Sequence, residues 1–230
     1  GDQTARLLAL TDDAGEPILA TGPRWESRPS HILRADLMDG QTTDLRLLDP
    51  DWFTGADGPG WQQVVVPEGP IYADRSRLVA PIQPPVRRTQ ELAPVAVTRP
   101  RPGTVVLDFG QAINGWVRLT DLGPAGTRLV LTHGEALAVS GLVNTDHLRA
   151  FVFATGQVLP AGQVDEVIAS GLVGESFEPR HTTHGFRFVQ VDGVPDDLDL
   201  STARGVVVHS DLRRTGEFGC SDARLARLLG

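Results

Sequence analysis

Trp116-Val117-Arg118-Leu119-Thr120-Asp121-Leu122, followed by Gly123-Pro124-Ala125-Gly126 and Thr127-Arg128-Leu129-Val130-Leu131-Thr132, is the stretch that decides the fold class. Both arms alternate in character, the period of a strand with one buried face, and the Gly-Pro-Ala-Gly between them is turn chemistry. The spacing predicts a β-hairpin. Working outward, Thr104–Asp108 reads as a short preceding strand. Phe186–Val191 and Gly205–His209, rich in β-branched and aromatic residues, read as further strands. Asp12-Asp13-Ala14-Gly15 reads as another hairpin turn. With 25 Gly and 17 Pro among 230 residues, the chain is cut into short segments at strand-and-turn spacing.

Two stretches depart from that pattern. Pro81 to Pro102 holds six of the 17 prolines and reads as an extended connector between β units, because proline removes ladder donors and fixes φ. At the other end, Ser221-Asp222 can cap a helix whose helix formers are Ala223, Leu225, Ala226, Leu228 and Leu229. A helix of two turns is marginal alone, so a following helical domain is expected. The start, Gly1-Asp2-Gln3-Thr4, has no initiator Met and runs straight into an apolar pattern, as a piece of a longer protein would.

Composition removes several function classes. Hydrophobic residues are 40% and charged residues 22%, which supports a packed core and excludes global disorder. All 21 basic residues are Arg, so mechanisms that need a lysine, such as a Schiff base or a P-loop, are absent. A net charge of -8 argues against nucleic acid as a partner, and no apolar run is long enough to span a bilayer as a helix. Residues 1 to 20 lack a signal-peptide pattern, which leaves cytoplasmic and secreted locations both open. Cys220, the single cysteine, can form neither an internal disulfide nor a Cys-based zinc site.

No HExxH, CxxC, GxSxG or correctly placed GxGxxG is present. His181 and His184 are three apart, but the strand pattern that follows argues against a helical ligand pair, and a structural or surface role outweighs metal binding. Asp12/Asp13, Asp196/Asp197 and Glu175/Glu178 could each be imagined as a glycosidase acid and base. Such pairs are defined by separation in space, and these lie in turn-like contexts that favour solvated carboxylates. Trp25, Trp52, Trp61 and Trp116 could stack on a sugar ring, yet tryptophan in a β-sandwich is more often a core or interface anchor.

Three blocks nevertheless carry a family resemblance. They are Asp108-Phe109-Gly110-Gln111-Ala112-Ile113-Asn114-Gly115-Trp116-Val117-Arg118-Leu119 with Gly123–Thr127 and His133-Gly134-Glu135; Phe177–Phe188 with Val208–Leu212; and Thr215-Gly216-Glu217-Phe218-Gly219-Cys220-Ser221-Asp222. In order and spacing the chain resembles the bacterial α-L-rhamnosidases of glycoside hydrolase family 78, with a weaker match over residues 1 to 66. The resemblance implies an all-β, jelly-roll and concanavalin-like β-sandwich fold with a partial preceding β domain and a short C-terminal helix. The division it implies is the C-terminal half of a jelly roll over 1–70, a Pro-rich connector over 71–92, a concanavalin-like β-sandwich over 93–215, and the start of a helical catalytic domain over 216–230.

The family resemblance also implies a function. Family active sites are acidic residues in an (α/α)₆ barrel that inverts configuration as it hydrolyses terminal α-L-rhamnosides. This chain would be the supporting portion, with no catalytic residue of its own and inactive alone. Its implied partners are a rhamnose-containing glycan or glycoside and the barrel of the same or another chain, with neither nucleic acid nor membrane. Some relatives carry a calcium-dependent rhamnose-binding module, whose pattern falls on Asp2 as acidic ligand, Gln3 as its amide neighbour, Trp25 as stacking ring and Pro50 as carbonyl ligand. Calcium would then be held by Asp2 and Pro50, although Gln3 replaces an expected Asn and Leu45 a polar amide. A calcium-dependent rhamnose-binding module and a docking domain for a separate catalytic chain are the alternative functions. In the signature blocks, Gly110, Gly115 and Gly185 read as turn or bulge positions, and Arg118, Arg180 and Arg187 as partners for carboxylates. Thr155–Gln163 reads as an inserted surface loop.

Overall fold

Strand β9 (Thr104–Arg118) organises the molecule. Its apolar positions Val105, Leu107, Phe109, Ile113 and Val117 are all buried in one hydrophobic core. A strand of 15 residues is too long to lie flat in one layer. It bends where its pairing slips: Phe186 faces Ile113, but Phe188 faces Asp108, leaving Phe109 to Ala112 bulged out. Gly110 sits in that bulge at φ +78°, with the Asp108 carboxylate accepting its N–H. The two halves of β9 can therefore serve different parts of a curled sheet around one core. The computed structural model describes residues 9–14, 16–51, 59–65, 82–159 and 162–229.

Eight further strands complete this sheet: β4 (Ile32–Asp36), β5 (Gly40–Asp44), β7 (Val86–Leu92), β8 (Ala96–Arg101), β10 (Arg128–Gly134), β15 (Val164–Ile168), β16 (His184–Asp192) and β17 (Arg204–Ser210). Their order is β4-β5-β15-β10-β16-β9-β17-β7, with β8 also paired to β9. Short two-stranded ribbons surround it: β1 (Ala9–Thr11) with β2 (Pro17–Ala20), β3 (Glu26–Ser27) with β6 (Gln62–Gln63), β11 (Ala136–Leu137) with β12 (Val143–Asn144), and β13 (Ala150–Val152) with β14 (Gln157–Leu159). The helix α1 (Ala223–Leu229) stands at the end, its first turn capped by Asp222 accepting the Arg224 N–H at 2.8 Å. Apart from this short helix and two single 3-10 turns, the fold of the described residues is all-β, as the resemblance implied.

Several local expectations change. The arms around Gly123–Gly126 are both extended, but they do not pair with each other. β16 lies between β9 and β10 and takes the hydrogen bonds of both. The connection crosses over instead, with Leu119 bridged to Phe177 and Gly126 N–H donating to Ala169 O. Asp222, rather than Ser221, is the helix cap. Gly115 is required, because a Cβ there would lie 1.8 Å from Val206 O, whereas Gly185 has ordinary strand geometry and nothing closer than 3.9 Å. Residues 86–101 of the proline-rich span supply β7 and β8, with Pro100 on β8, a strand whose partner is β9. The Thr155–Gln163 segment includes β14, and Cys220 is exposed.

Candidate functional site

The inner face of β10 runs Leu129, Leu131, His133, all buried. On β15 the inward phase carries Asp165 and Val167, and on β16 it carries His184 and Phe186. At one end of an apolar core, three adjacent strands thus place polar side chains where their phase demands aliphatic ones. His133, Asp165 and His184 are completely excluded from solvent. The two imidazoles stack with centroids 4.2 Å apart and planes at 28°, and Phe186 meets His133 edge-on at 4.9 Å.

The hydrogen bonds assign the protons. His133 Nδ1 lies 3.0 Å from Gln163 O, a carbonyl that can only accept, so Nδ1 carries the hydrogen and Nε2 the lone pair. Burial, with the neighbouring His184 adding to it, pushes His133 down to about 4, so the ring is neutral at neutral pH. Among the described residues its Nε2 has no hydrogen-bond partner, and it lies 3.8 Å from Asp165 Oδ2. His184 Nε2 is 3.1 Å from the same oxygen, while its Nδ1 has no partner among the described residues. Asp165 Oδ1 accepts the Gln41 N–H at 2.9 Å.

Around this trio runs a polar seam. The Leu37–Asp39 turn is held by Gln163 N–H and Val164 N–H, which donate to Met38 O and Asp39 O, and by the Thr182 hydroxyl, which donates to Leu37 O. The buried Gln41 amide oxygen accepts the N–H groups of Arg180 and His181 at 3.0 and 3.2 Å. Gly40, at φ +117°, presses so close that a Cβ would meet Val164 O at 2.0 Å. Beside it β5 pairs in parallel with β15, Thr42 opposite Glu166. Gln163 itself adopts φ +66°, an uncommon conformation for a non-glycine residue, and its side-chain oxygen accepts the Gly185 N–H.

A shallow groove of about 440 Å³ lies near the seam, lined by Trp116, Arg88, Arg180, His181, Thr182 and Val208 among others. The Arg88 guanidinium covers the Trp116 ring at 5.5 Å. Among the described residues, the lining contains no carboxylate. Glu178 is tied to Arg88 and lies 3.8 Å from Arg118, and Glu175 accepts the N–H groups of Ser170 and Gly171. Those two carboxylates are structural. Arg118 grips Glu91 in a fork at 2.7 and 2.5 Å, and Arg187 grips Asp108 at 2.8 and 2.9 Å. Arg180 has no carboxylate within ion-pair distance among the described residues.

Of the residues matched to a rhamnose module, Asp2 and Gln3 lie outside the described residues, as does Trp52. Trp25 is 37% exposed, and its Nε1 donates to Ala20 O at 3.1 Å. Pro50 is exposed on a turn. Of the carboxylates near Pro50 in sequence, Asp49 pairs with Arg28 at 2.5 Å and accepts the Asp51 N–H, and Asp44 pairs with Arg46 at 2.7 Å. Trp61 lies under the Arg28 guanidinium at 4.8 Å. His181 and His184, three apart in sequence, serve different neighbours, and His184's partner is His133, 51 positions upstream. The signal that finds this pairing is a polar residue in the apolar phase of a strand, as in Leu129-x-Leu131-x-His133.

The architecture and its seam define a curled concanavalin-like β domain fused to strands from an N-terminal segment. Comparison with known proteins matches residues 98–209 to the bacterial alpha-L-rhamnosidase concanavalin-like domain and residues 3–90 to the alpha-L-rhamnosidase N-terminal domain. The chain is thus built from the N-terminal and concanavalin-like domains of the bacterial α-L-rhamnosidase family. It is 35% identical to an alpha-L-rhamnosidase of Streptomyces avermitilis over 99% of its own length and 21% of that protein's. The crystal structure of the Streptomyces avermitilis enzyme complexed with L-rhamnose superposes with a TM-score of 0.76 at 32% identity, covering 96% of this chain and 20% of that one. The alpha-L-rhamnosidase of Dictyoglumus thermophilum superposes at 0.77 and 28% identity, over 93% and 23% of the two chains. The chain therefore spans about a fifth of the length of the relatives it matches.

Proposed function

We propose that this chain is the non-catalytic β-rich portion of an α-L-rhamnosidase, supporting an (α/α)₆ barrel that hydrolyses terminal α-L-rhamnosides with inversion. The observation that carries this reading is the alignment with an alpha-L-rhamnosidase along 99% of the chain at 35% identity. Inversion needs a carboxylic acid to protonate the leaving oxygen and a carboxylate to activate water, about 6.5–9.5 Å apart. A supporting role is consistent with the groove beside Trp116, whose described lining has no carboxylate, and with Glu178 and Glu91 nearby, which are paired to arginines.

The test compares two proteins, the 230-residue chain and the longer protein encoded with it, on an aryl α-L-rhamnoside. The longer protein should release the aglycone and give, in the first minutes by NMR, the β-anomer of rhamnose. The chain alone should match a heat-treated control. Turnover by the chain alone would overturn the supporting role. An initial α-anomer would overturn inversion, and no rhamnosidase activity in the longer protein would overturn the reading as a whole.

A further inference from the structure

We propose that His133, Asp165 and His184 form a metal site in the core of the β domain, taking a divalent transition metal of the zinc class as a structural cofactor. The donor set is two imidazoles and one carboxylate, which suits zinc and its neighbours better than calcium or magnesium. The three donor atoms converge from adjacent strands, and no two lie more than 4.8 Å apart. Zinc with bonds of about 2.1 Å places tetrahedral ligands about 3.4 Å from one another. The observed 3.1 Å from His184 Nε2 to Asp165 Oδ2 and 3.8 Å from His133 Nε2 to the same oxygen bracket that spacing.

Three independent features point to a cation. First, His133 Nε2 is buried, has no hydrogen-bond partner among the described residues and lies 3.8 Å from Asp165 Oδ2 within the cluster. A buried acceptor left unpaired is costly, and a metal is a partner it can take. Second, His133 donates its other nitrogen's proton to Gln163 O, the outer contact that fixes the tautomer of a metal-bound histidine. Gln163 holds φ +66° while doing so, so the carbonyl is aimed at some conformational cost. Third, Asp165 is a fully buried carboxylate whose only ion-pair partners among the described residues are these two imidazoles. Its hydrogen bonds among the described residues come from Gln41 N–H at 2.9 Å and from His184 at 3.1 Å. A divalent ion would compensate its charge directly. Structural zinc usually has four ligands, so a buried water would have to fill the position that the three side chains leave.

The experiment uses the full 230-residue chain without an affinity tag, dialysed against EDTA, then equilibrated with Zn²⁺ or Co²⁺ and freed of loose metal. Metal analysis should find about one retained equivalent per chain, and the melting temperature should rise on loading. His133→Gln and His184→Gln should each weaken retention at least tenfold, while His181→Gln, which alters a histidine outside the cluster, should leave it unchanged. The Co²⁺ protein should show the intense visible bands of a tetrahedral nitrogen and oxygen shell, a readout on the unsubstituted chain that holds even where a histidine variant does not fold. The proposal is overturned by a metal content and melting temperature indifferent to Zn²⁺, by unaltered retention in both histidine variants, or by a Co²⁺ spectrum matching the free aqueous ion.

Discussion

At the residue scale, the Asp108–Arg187 fork shows how a family signature block is tied down. Asp108 begins the bulge of β9, and Arg187 lies at the matching slip in β16, so the two ends of a register fault are pinned by one ion pair. The Arg187 guanidinium holds the Asp108 carboxyl below its ordinary value of 3.8. A carboxylate whose folded-state pKa is depressed stabilises the fold above its ordinary pKa, and that contribution is lost as pH falls through the depressed value. Asp108→Asn should therefore leave a smaller drop in stability between pH 4 and more acidic solution than the wild type shows, read by urea unfolding at stepped pH. Identical pH profiles would show that the pair is energetically silent. The arginine side of such pairs was legible for Arg118 and Arg187, whose sequence blocks suggested carboxylate partners. It was not legible for Arg180, which contributes its backbone N–H to Gln41, because a main-chain contact leaves no trace in residue type.

At the element scale, strand periodicity carried over and pairing did not. The alternation in Trp116–Leu122 and Thr127–Thr132 correctly marked extended chain, and so did the runs that became β16 and β17. What alternation lacks is any information on the neighbour. Gly-Pro-Ala-Gly looks the same in a tight hairpin and in a crossover that lets β16 in between. The buried trio was missed for a related reason, since His133, Asp165 and His184 are far apart in sequence and meet only once β15, β10 and β16 are known to be adjacent. Gln41 belongs to the same class. It is a polar strand residue, yet it is 2% exposed and satisfies two N–H groups of another segment. Gln41→Ala should strand both donors and cost about 1–3 kcal/mol, measurable as a lowered denaturation midpoint with an unchanged slope. No change would mean that water replaces the amide without penalty.

At the scale of the whole molecule, the segments matched to two different family domains share one sheet. β4 and β5 fall within the match to the N-terminal domain, yet β5 is hydrogen-bonded to β15 of the concanavalin-like domain, and β7 is hydrogen-bonded to β17. The apolar core lies in the second of these, with Leu45, Leu92 and Val207 packed at its margin. Composition and patterning led to the expectation of a large β domain plus a piece of another. The ladder that sews them together was not readable, because parallel pairing between positions 42 and 166 has no local signature.

That ladder has a thermodynamic consequence. Two modules joined by a flexible tether would melt independently, each with its own enthalpy. Here, separating β5 from β15 strips Gln41 from Asp165, Arg180 and His181 and opens the turn over Gln163, so loss of one module exposes buried polar groups of the other. Calorimetry of the chain should show a single endotherm whose calorimetric and van't Hoff enthalpies agree, and two resolved peaks would contradict this coupling. A break in the connection between the family domains should then be tolerated poorly, for the boundary seen in sequence families is not a boundary of cooperativity.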